Sequence, residues 1–108
     1  MYRSIATLLL CASFVAAQTN RGGITGTITD KTGGTVANAS VVITNLGTNE
    51  TFHLKTGESG AFTSQNLDPV SYRVEVSADG FKKSVTDHVK VDTASVVTVN
   101  FTLEPGSV

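Results

Sequence analysis

The sequence predicts an all-β chain, a seven-stranded antiparallel β-sandwich preceded by a signal-peptide helix. Three observations carry that expectation. Short segments alternate apolar with polar residues, the period-two signature of a half-buried strand, and Tyr72-Arg73-Val74-Glu75-Val76-Ser77 is the cleanest of them. Clusters of Gly, Asn, Asp and Pro separate these segments at short intervals. Thr, Ser, Val and Gly are abundant throughout, and β-branched side chains suit a pleated, half-buried surface.

The chain opens with a leader. Met1-Tyr2-Arg3 supplies one positive charge, Ile5 to Val15 is a mostly apolar run, and Val15-Ala16-Ala17 offers small residues before Gln18. This order of basic, apolar and small residues is that of a secretory signal, with cleavage expected between Ala17 and Gln18. The run is shorter than the roughly 20 apolar residues that span a bilayer. Cys11, the only cysteine, lies inside it and follows the bulky Leu10, so it is expected to leave with the leader without anchoring a lipid. The organisation expected is a signal peptide over residues 1–17, a linker over 18–22, one sandwich domain over 23–104 and a tail over 105–108.

Composition narrows the class. The exported part has no cysteine, so burial and not a disulfide must hold it together. The full chain carries a formal net charge of −1, which becomes one unit more negative once Arg3 leaves. No basic stripe exists to neutralise phosphates, so nucleic acid is not an expected partner. A chain of this length supports one small core.

The first strand is Gly23 to Asp30, ended by the turn Lys31-Thr32-Gly33-Gly34, where two glycines are available for positive φ. Ala39 to Asn45 is the second, with Ala39, Val41 and Ile43 on one face. Thr51 to Thr56 is the third, placing Phe52 and Leu54 inward and His53 and Lys55 outward. Gly57-Glu58-Ser59-Gly60 leads to a short fourth strand, Ala61 to Ser64, with Phe62 in the core. Pro69 breaks the next segment, because proline cannot donate to a ladder. Tyr72 to Ser77 is the fifth strand, and Asp79-Gly80 signals a hairpin into a sixth, Phe81 to Val91. Val96 to Leu103 is the seventh, its Val97, Val99, Phe101 and Leu103 lining one face. Strands with one apolar face each pack as two sheets face to face. The expected core is Ile24, Ile28, Val41, Ile43, Phe52, Leu54, Phe62, Leu67, Tyr72, Val74, Val76, Phe81, Val97, Val99, Phe101 and Leu103.

Candidate chemistry is sparse. His53 and His88 are the only histidines, both alternate outward, and neither belongs to a cluster with carboxylates or cysteine, so no metal and no cofactor is expected. A lysine and an asparagine on the first and last strands of a sandwich can join in an isopeptide bond within a dry core. Lys31 falls in a turn and Asn100 alternates outward with Thr98 and Thr102, so that bond is not expected here. The outward set His53, Lys55, Arg73 and Glu75 forms a polar binding face if the third and fifth strands are neighbours; otherwise it is an ordinary solvated sheet face. Asn38-Ala39-Ser40, Asn49-Glu50-Thr51 and Asn100-Phe101-Thr102 match the glycosylation sequon, a pattern that arises readily by chance in a Ser- and Thr-rich chain.

Gly26-Thr27-Ile28-Thr29-Asp30, Gly33-Gly34, Ala39-Ser40-Val41, Thr56 with Gly60 and Phe62, Leu67 with Pro69 and Tyr72, and Ala78 with Gly80-Phe81 resemble the carboxypeptidase regulatory-like domain. The resemblance spans Gly23 to Leu103 and implies a transthyretin-like (prealbumin-like) sandwich without catalytic activity. The sequence departs from that pattern at Val70, where the family has glycine after proline, and at Asn38, where glycine is also common. Asn38 tolerates the left-handed region and β-branched Val70 does not, so the turn near Pro69 must be of another type or shifted by one residue. Transthyretin-like hydrolases end in Tyr-Arg-Gly-Ser, whereas this chain ends Leu103-Glu104-Pro105-Gly106-Ser107-Val108.

A leader followed at once by such a domain also resembles the N-terminus of bacterial TonB-dependent outer-membrane receptors. The resemblance implies a non-catalytic structural or interaction module, periplasmic, outer-membrane-associated or secreted. Its expected partner is a cell-envelope protein met through an edge strand or a sheet face, and a membrane is reached only through a larger receptor. The alternative expectation is binding of a polysaccharide or other extracellular polymer, for which an exposed aromatic platform would be the sequence mark. The aromatic residues fall instead at core positions.

Overall fold

A computed structural model describes residues 21–106. The expected signal-peptide helix, the expected cleavage point between Ala17 and Gln18, and the last two residues of the expected tail lie outside the described residues.

Two sheets form the sandwich, built from eight strands: β1 (Gly22–Asp30), β2 (Ser40–Asn45), β3 (Thr51–Lys55), β4 (Ala61–Leu67), β5 (Ser71–Ser77), β6 (Ser84–Lys90), β7 (Val96–Thr98) and β8 (Phe101–Leu103). Sheet I has the order β4-β1-β7, with β8 continuing along β1 beyond β7. Sheet II has the order β3-β2-β5-β6 and is antiparallel throughout. Alternation has its expected consequence: Ile24 and Ile28 of β1, Phe62 and Leu67 of β4, and Phe101 and Leu103 of β8 pack in one core with Val41, Ile43, Tyr72, Val74 and Val76 of sheet II.

The expected all-antiparallel, seven-strand arrangement needs two corrections. First, β1 runs parallel to both β7 and β8, so sheet I is mixed. Second, the expected strand Val96 to Leu103 is divided at Val99-Asn100. The register against β1 is the same on both sides of the break, with Ile24 opposite Val97 and Ile28 opposite Phe101. What interrupts the ladder is a side chain: the Thr27 amide donates to Asn100 Oδ1 at 2.9 Å, while the Val99 amide donates to the Thr25 carbonyl at 2.8 Å. The two strands meet closely at this point. A Cβ on Gly26 would lie 1.9 Å from the Val99 carbonyl oxygen and 2.7 Å from the Phe62 ring, so glycine is required there.

Strand β6 begins at Ser84, not at Phe81 as expected. Gly80, at φ 82°, closes a turn in which the Phe81 amide reaches the Ala78 carbonyl. The next backbone groups are then taken by the C-terminal segment, through Lys82 N–H to the Glu104 carbonyl at 2.8 Å and Gly106 N–H to the Gly80 carbonyl at 2.9 Å. A bulge follows within β6. Tyr72 pairs with Val89 but Val74 with Thr86, so Asp87 and His88 together face Arg73, with His88 at φ 57°. The extra residue shifts the alternation, which is why Val85 is 46% exposed while Val89 and Val91 are buried.

Most of the expected core is buried. Phe52, Leu54, Phe81, Val97 and Val99 are instead half-buried and pack against its margin. All but Phe81 belong to β3 or to the β7–β8 edge, where a facing strand covers only part of the side chain. Val36, Val89 and Val91 join the core unanticipated. Val36 does so because the β1–β2 connection folds back on β1, bonding its own amide to the Ile28 carbonyl. Asn38 takes φ 58°, as its side chain allows. At Pro69 the Val70 amide closes a tight turn onto the Asp68 carbonyl at 2.8 Å, which avoids positive φ at Val70.

Candidate interaction faces

The outward set read from the sequence lies on sheet II, but its two halves are not neighbours. β2 separates β3 from β5, and Val42 pairs with His53 on one side and Glu75 on the other. Glu75 in turn pairs with Val85, so a row runs His53, Val42, Glu75, Val85 across the sheet. Arg73 Nε donates to Asp87 Oδ1 at 2.6 Å, a contact aimed by the bulge, and this bond with the Asp87 charge holds the guanidinium above its ordinary pKa. Lys83 Nζ lies 3.5 Å from Glu75 Oε1. The β5 half of the set is therefore satisfied by β6, while His53 and Lys55 stand exposed on the opposite edge.

Each end of the sandwich carries an open groove. At the end where β1 begins, a groove of about 330 Å³ lies among Arg21, Gly22, Asn66, Ala94, Ser95 and Val96. Two of its residues have left-handed backbones, Asn66 at φ 61° and Ala94 at φ 55°. Alanine gains nothing from that conformation, which costs roughly 1–2 kcal/mol. It is held by Ser95, whose amide donates to the Asp92 carbonyl and whose carbonyl accepts the Gly23 amide at 3.0 Å. Gly22 closes the floor, since a Cβ there would meet the Asp92 and Ser95 carbonyls at 2.5 Å. Sequence reasoning missed this groove, and the paired Gly22-Gly23 was its one signal. At the other end, Asn38, Ser40, Lys55, Ser77 and Asp79 line a more polar groove of about 260 Å³.

The remaining sequence candidates are dispersed. His53 and His88 occupy β3 and β6, the opposite edges of sheet II, and no three potential metal ligands gather among the described residues. Lys31 Nζ lies 3.3 Å from Glu104 Oε1, and Asn100 caps the Thr27 amide, so the two are not joined. Asp30 organises the turn after β1, and the Thr32 hydroxyl and amide bonds, followed by the Gly34 amide, hold its carboxyl below the usual carboxylate range. Burial and the nearby Asp68 charge push the Tyr72 hydroxyl up, while that hydroxyl donates to the Asp68 carbonyl at 2.9 Å.

The strand edges differ in character. β6 carries Lys83 beside it, Lys90 within it and a bulge, the devices that discourage pairing with another chain. β7 carries only Val96, Val97 and Thr98, and Val96 is 62% exposed. β4 is likewise uncharged.

Comparison with known proteins places this architecture. Among curated proteins no sequence matches the chain. Among solved structures, the chain resembles the TIE protein of Bacillus anthracis, with 18% identity and a TM-score of 0.70 over 80% of this chain and 17% of that one. It also resembles a protein of Bacteroides uniformis provisionally described as carbohydrate-binding, with 19% identity, a TM-score of 0.61 and coverage of 78% and 41%. A third similar structure is catechol 1,2-dioxygenase of Acinetobacter radioresistens, with 13% identity, a TM-score of 0.64 and coverage of 82% and 53%. At these identities the likeness is one of fold, and the chain spans well under two thirds of each. In sequence, residues 23–104 match the carboxypeptidase regulatory-like domain. With the match covering most of its length, the chain belongs to the carboxypeptidase regulatory-like domain family.

Proposed function

We propose that this chain is a non-catalytic, exported module that works in line within a cell-envelope protein, of the kind that precedes the barrel of a TonB-dependent outer-membrane receptor. The observation that carries the reading is the parallel pairing of β1 with β7 and β8. It brings the chain in at one end of the sandwich and out at the other, the geometry of a spacer. The similar solved structures support it, because in each the fold occupies only part of a longer chain. The apolar leader supports export. The test is the intact mass and cell fraction of the native product. A large outer-membrane species that carries this sequence and begins at Gln18 is expected. A soluble species of about 90 residues, as cleavage of the leader alone would leave, contradicts it.

A second reading, binding of a carbohydrate polymer, draws on the Bacteroides uniformis structure and on the polar groove between Asn38, Lys55 and Asp79. The five aromatic residues among those described are buried or half-buried, so the groove offers hydrogen-bonding groups without a stacking platform. Calorimetric titration with a glycan panel tests it. Heats that vanish in Lys55→Ala support the reading, and flat titrations across the panel remove it.

A further inference from the structure

We propose that the sandwich bears tension along its length, with the contact between its first and last strands as the load-bearing clamp. The proposal rests on the reading of the chain as an in-line module and adds what the module does there.

β1 and the β7–β8 segment are the first and last strands of the fold, adjacent and parallel. Pulling the two ends of the chain apart drives these strands past each other along their own axes. Every cross-strand bond between them is then loaded at once. In an antiparallel pair pulled from neighbouring ends, the bonds open one after another from the turn-free side, and each carries the load alone.

The clamp is also built against slippage. Gly23 N–H bonds the Ser95 carbonyl at 3.0 Å and Val99 N–H bonds the Thr25 carbonyl at 2.8 Å. Where the ladder breaks, Asn100 Oδ1 supplies the missing acceptor to the Thr27 amide. The Val99 carbonyl sits in the space a Gly26 Cβ would fill, so a slide that keeps each side chain on its own face, two residues along β1, drives it against the side chain of Ile24 or Ile28. Beyond β8, the Glu104 carbonyl and the Gly106 amide tie the departing chain to Lys82 and Gly80 of the β5–β6 connection, and Glu104 also meets Lys31. The load therefore reaches both sheets before β8 moves.

The experiment is single-molecule force spectroscopy on the full 108-residue chain held between marker domains. One attachment pulls N-terminus against C-terminus. The other pulls the N-terminus against a thiol at Val70→Cys, in a Cys11→Ser background, which opens β1 and β4 from the end they share. Unfolding between the termini should lengthen the chain by roughly 250 Å, set by the reach of an extended backbone. The expected result is a higher unfolding force between the termini than from residue 70. Asn100→Ala should lower the first force and leave the second unchanged, since forced unfolding reads the barrier along the pulled direction. A terminal force no higher than the force from residue 70 overturns the proposal. An effect of Asn100→Ala that is absent, or equal in both geometries as a merely structural role would give, overturns it too. A native product no longer than this chain removes the in-line reading, whatever the forces show.

Discussion

Sheet II and sheet I solve the same packing problem in different ways. Sheet II is antiparallel throughout, and one edge is disrupted by the Asp87-His88 bulge and flanked by lysines. Sheet I holds β1 between an antiparallel partner and two parallel ones, its outer strands carry no charge, and its interior relies on a glycine where strands nearly touch. The two sheets are specified in different places. Sheet II is protected from other chains by charge and irregularity at its rim. Sheet I is specified from within, by a close approach and a side-chain acceptor that fix one register for the last strand.

The largest expected effect lies in the core that sheet I contributes. Phe101→Ala removes a buried ring packed 6.5 Å from the Phe62 centroid, and should cost about 3–5 kcal/mol in chemical denaturation. A variant that melts like the parent would show β8 facing the other way. Next comes a pair of glycines. Gly26→Ala forces a methyl into the Val99 carbonyl and should cost about 3 kcal/mol. Gly57→Ala, between the two sheets and with nothing within 4 Å, should change stability by no more than about 0.5 kcal/mol. Equal effects at the two glycines would break the claim that a close approach of β1 to Val99 requires glycine at position 26.

Thr56 sharpens the contrast from the side of sheet II. It is 2% exposed, accepts the Ala39 amide and donates to the Val36 carbonyl, both at 2.8 Å, and so stitches the β1–β2 connection to the end of β3. Thr56→Val keeps the shape and leaves that amide and carbonyl short of a partner, at a cost of about 2 kcal/mol by thermal or denaturant unfolding. The smallest effect is electrostatic. The native Asp30 carboxyl sits below its ordinary 3.8, so its contribution is complete above that value and is lost as pH falls through the lower native one. Asp30→Asn should flatten that acid-side slope, and a parent and variant with parallel stability curves below pH 4 would contradict it.

The sequence made strands and faces legible because alternation reports which side of a strand is dry. Tyr72, Val74 and Val76 lie where that alternation puts them. Strand direction was not legible, since Val97, Val99 and Phe101 alternate identically beside a parallel or an antiparallel partner. The bulge was hidden for a related reason: Val85, Val89 and Val91 share one parity in the sequence, and only the left-handed His88 turns the first of them outward. The polar set His53, Lys55, Arg73 and Glu75 was correctly placed outside, but its grouping depended on strand order, which no local pattern encodes. The groove near Ala94 assembles from three separated segments, and its strained backbone leaves no mark on an alanine codeword.

The most direct test of the parallel pairing on which the account turns is a set of cross-strand nuclear Overhauser contacts in the labelled protein. Contacts joining Ile24 to Val97 and Ile28 to Phe101 are predicted, because β1 and the last strands run the same way. Contacts joining Ile24 to Phe101 and Ile28 to Val97 would mean antiparallel pairing, and would contradict both the end-to-end course of the chain and the clamp built on it.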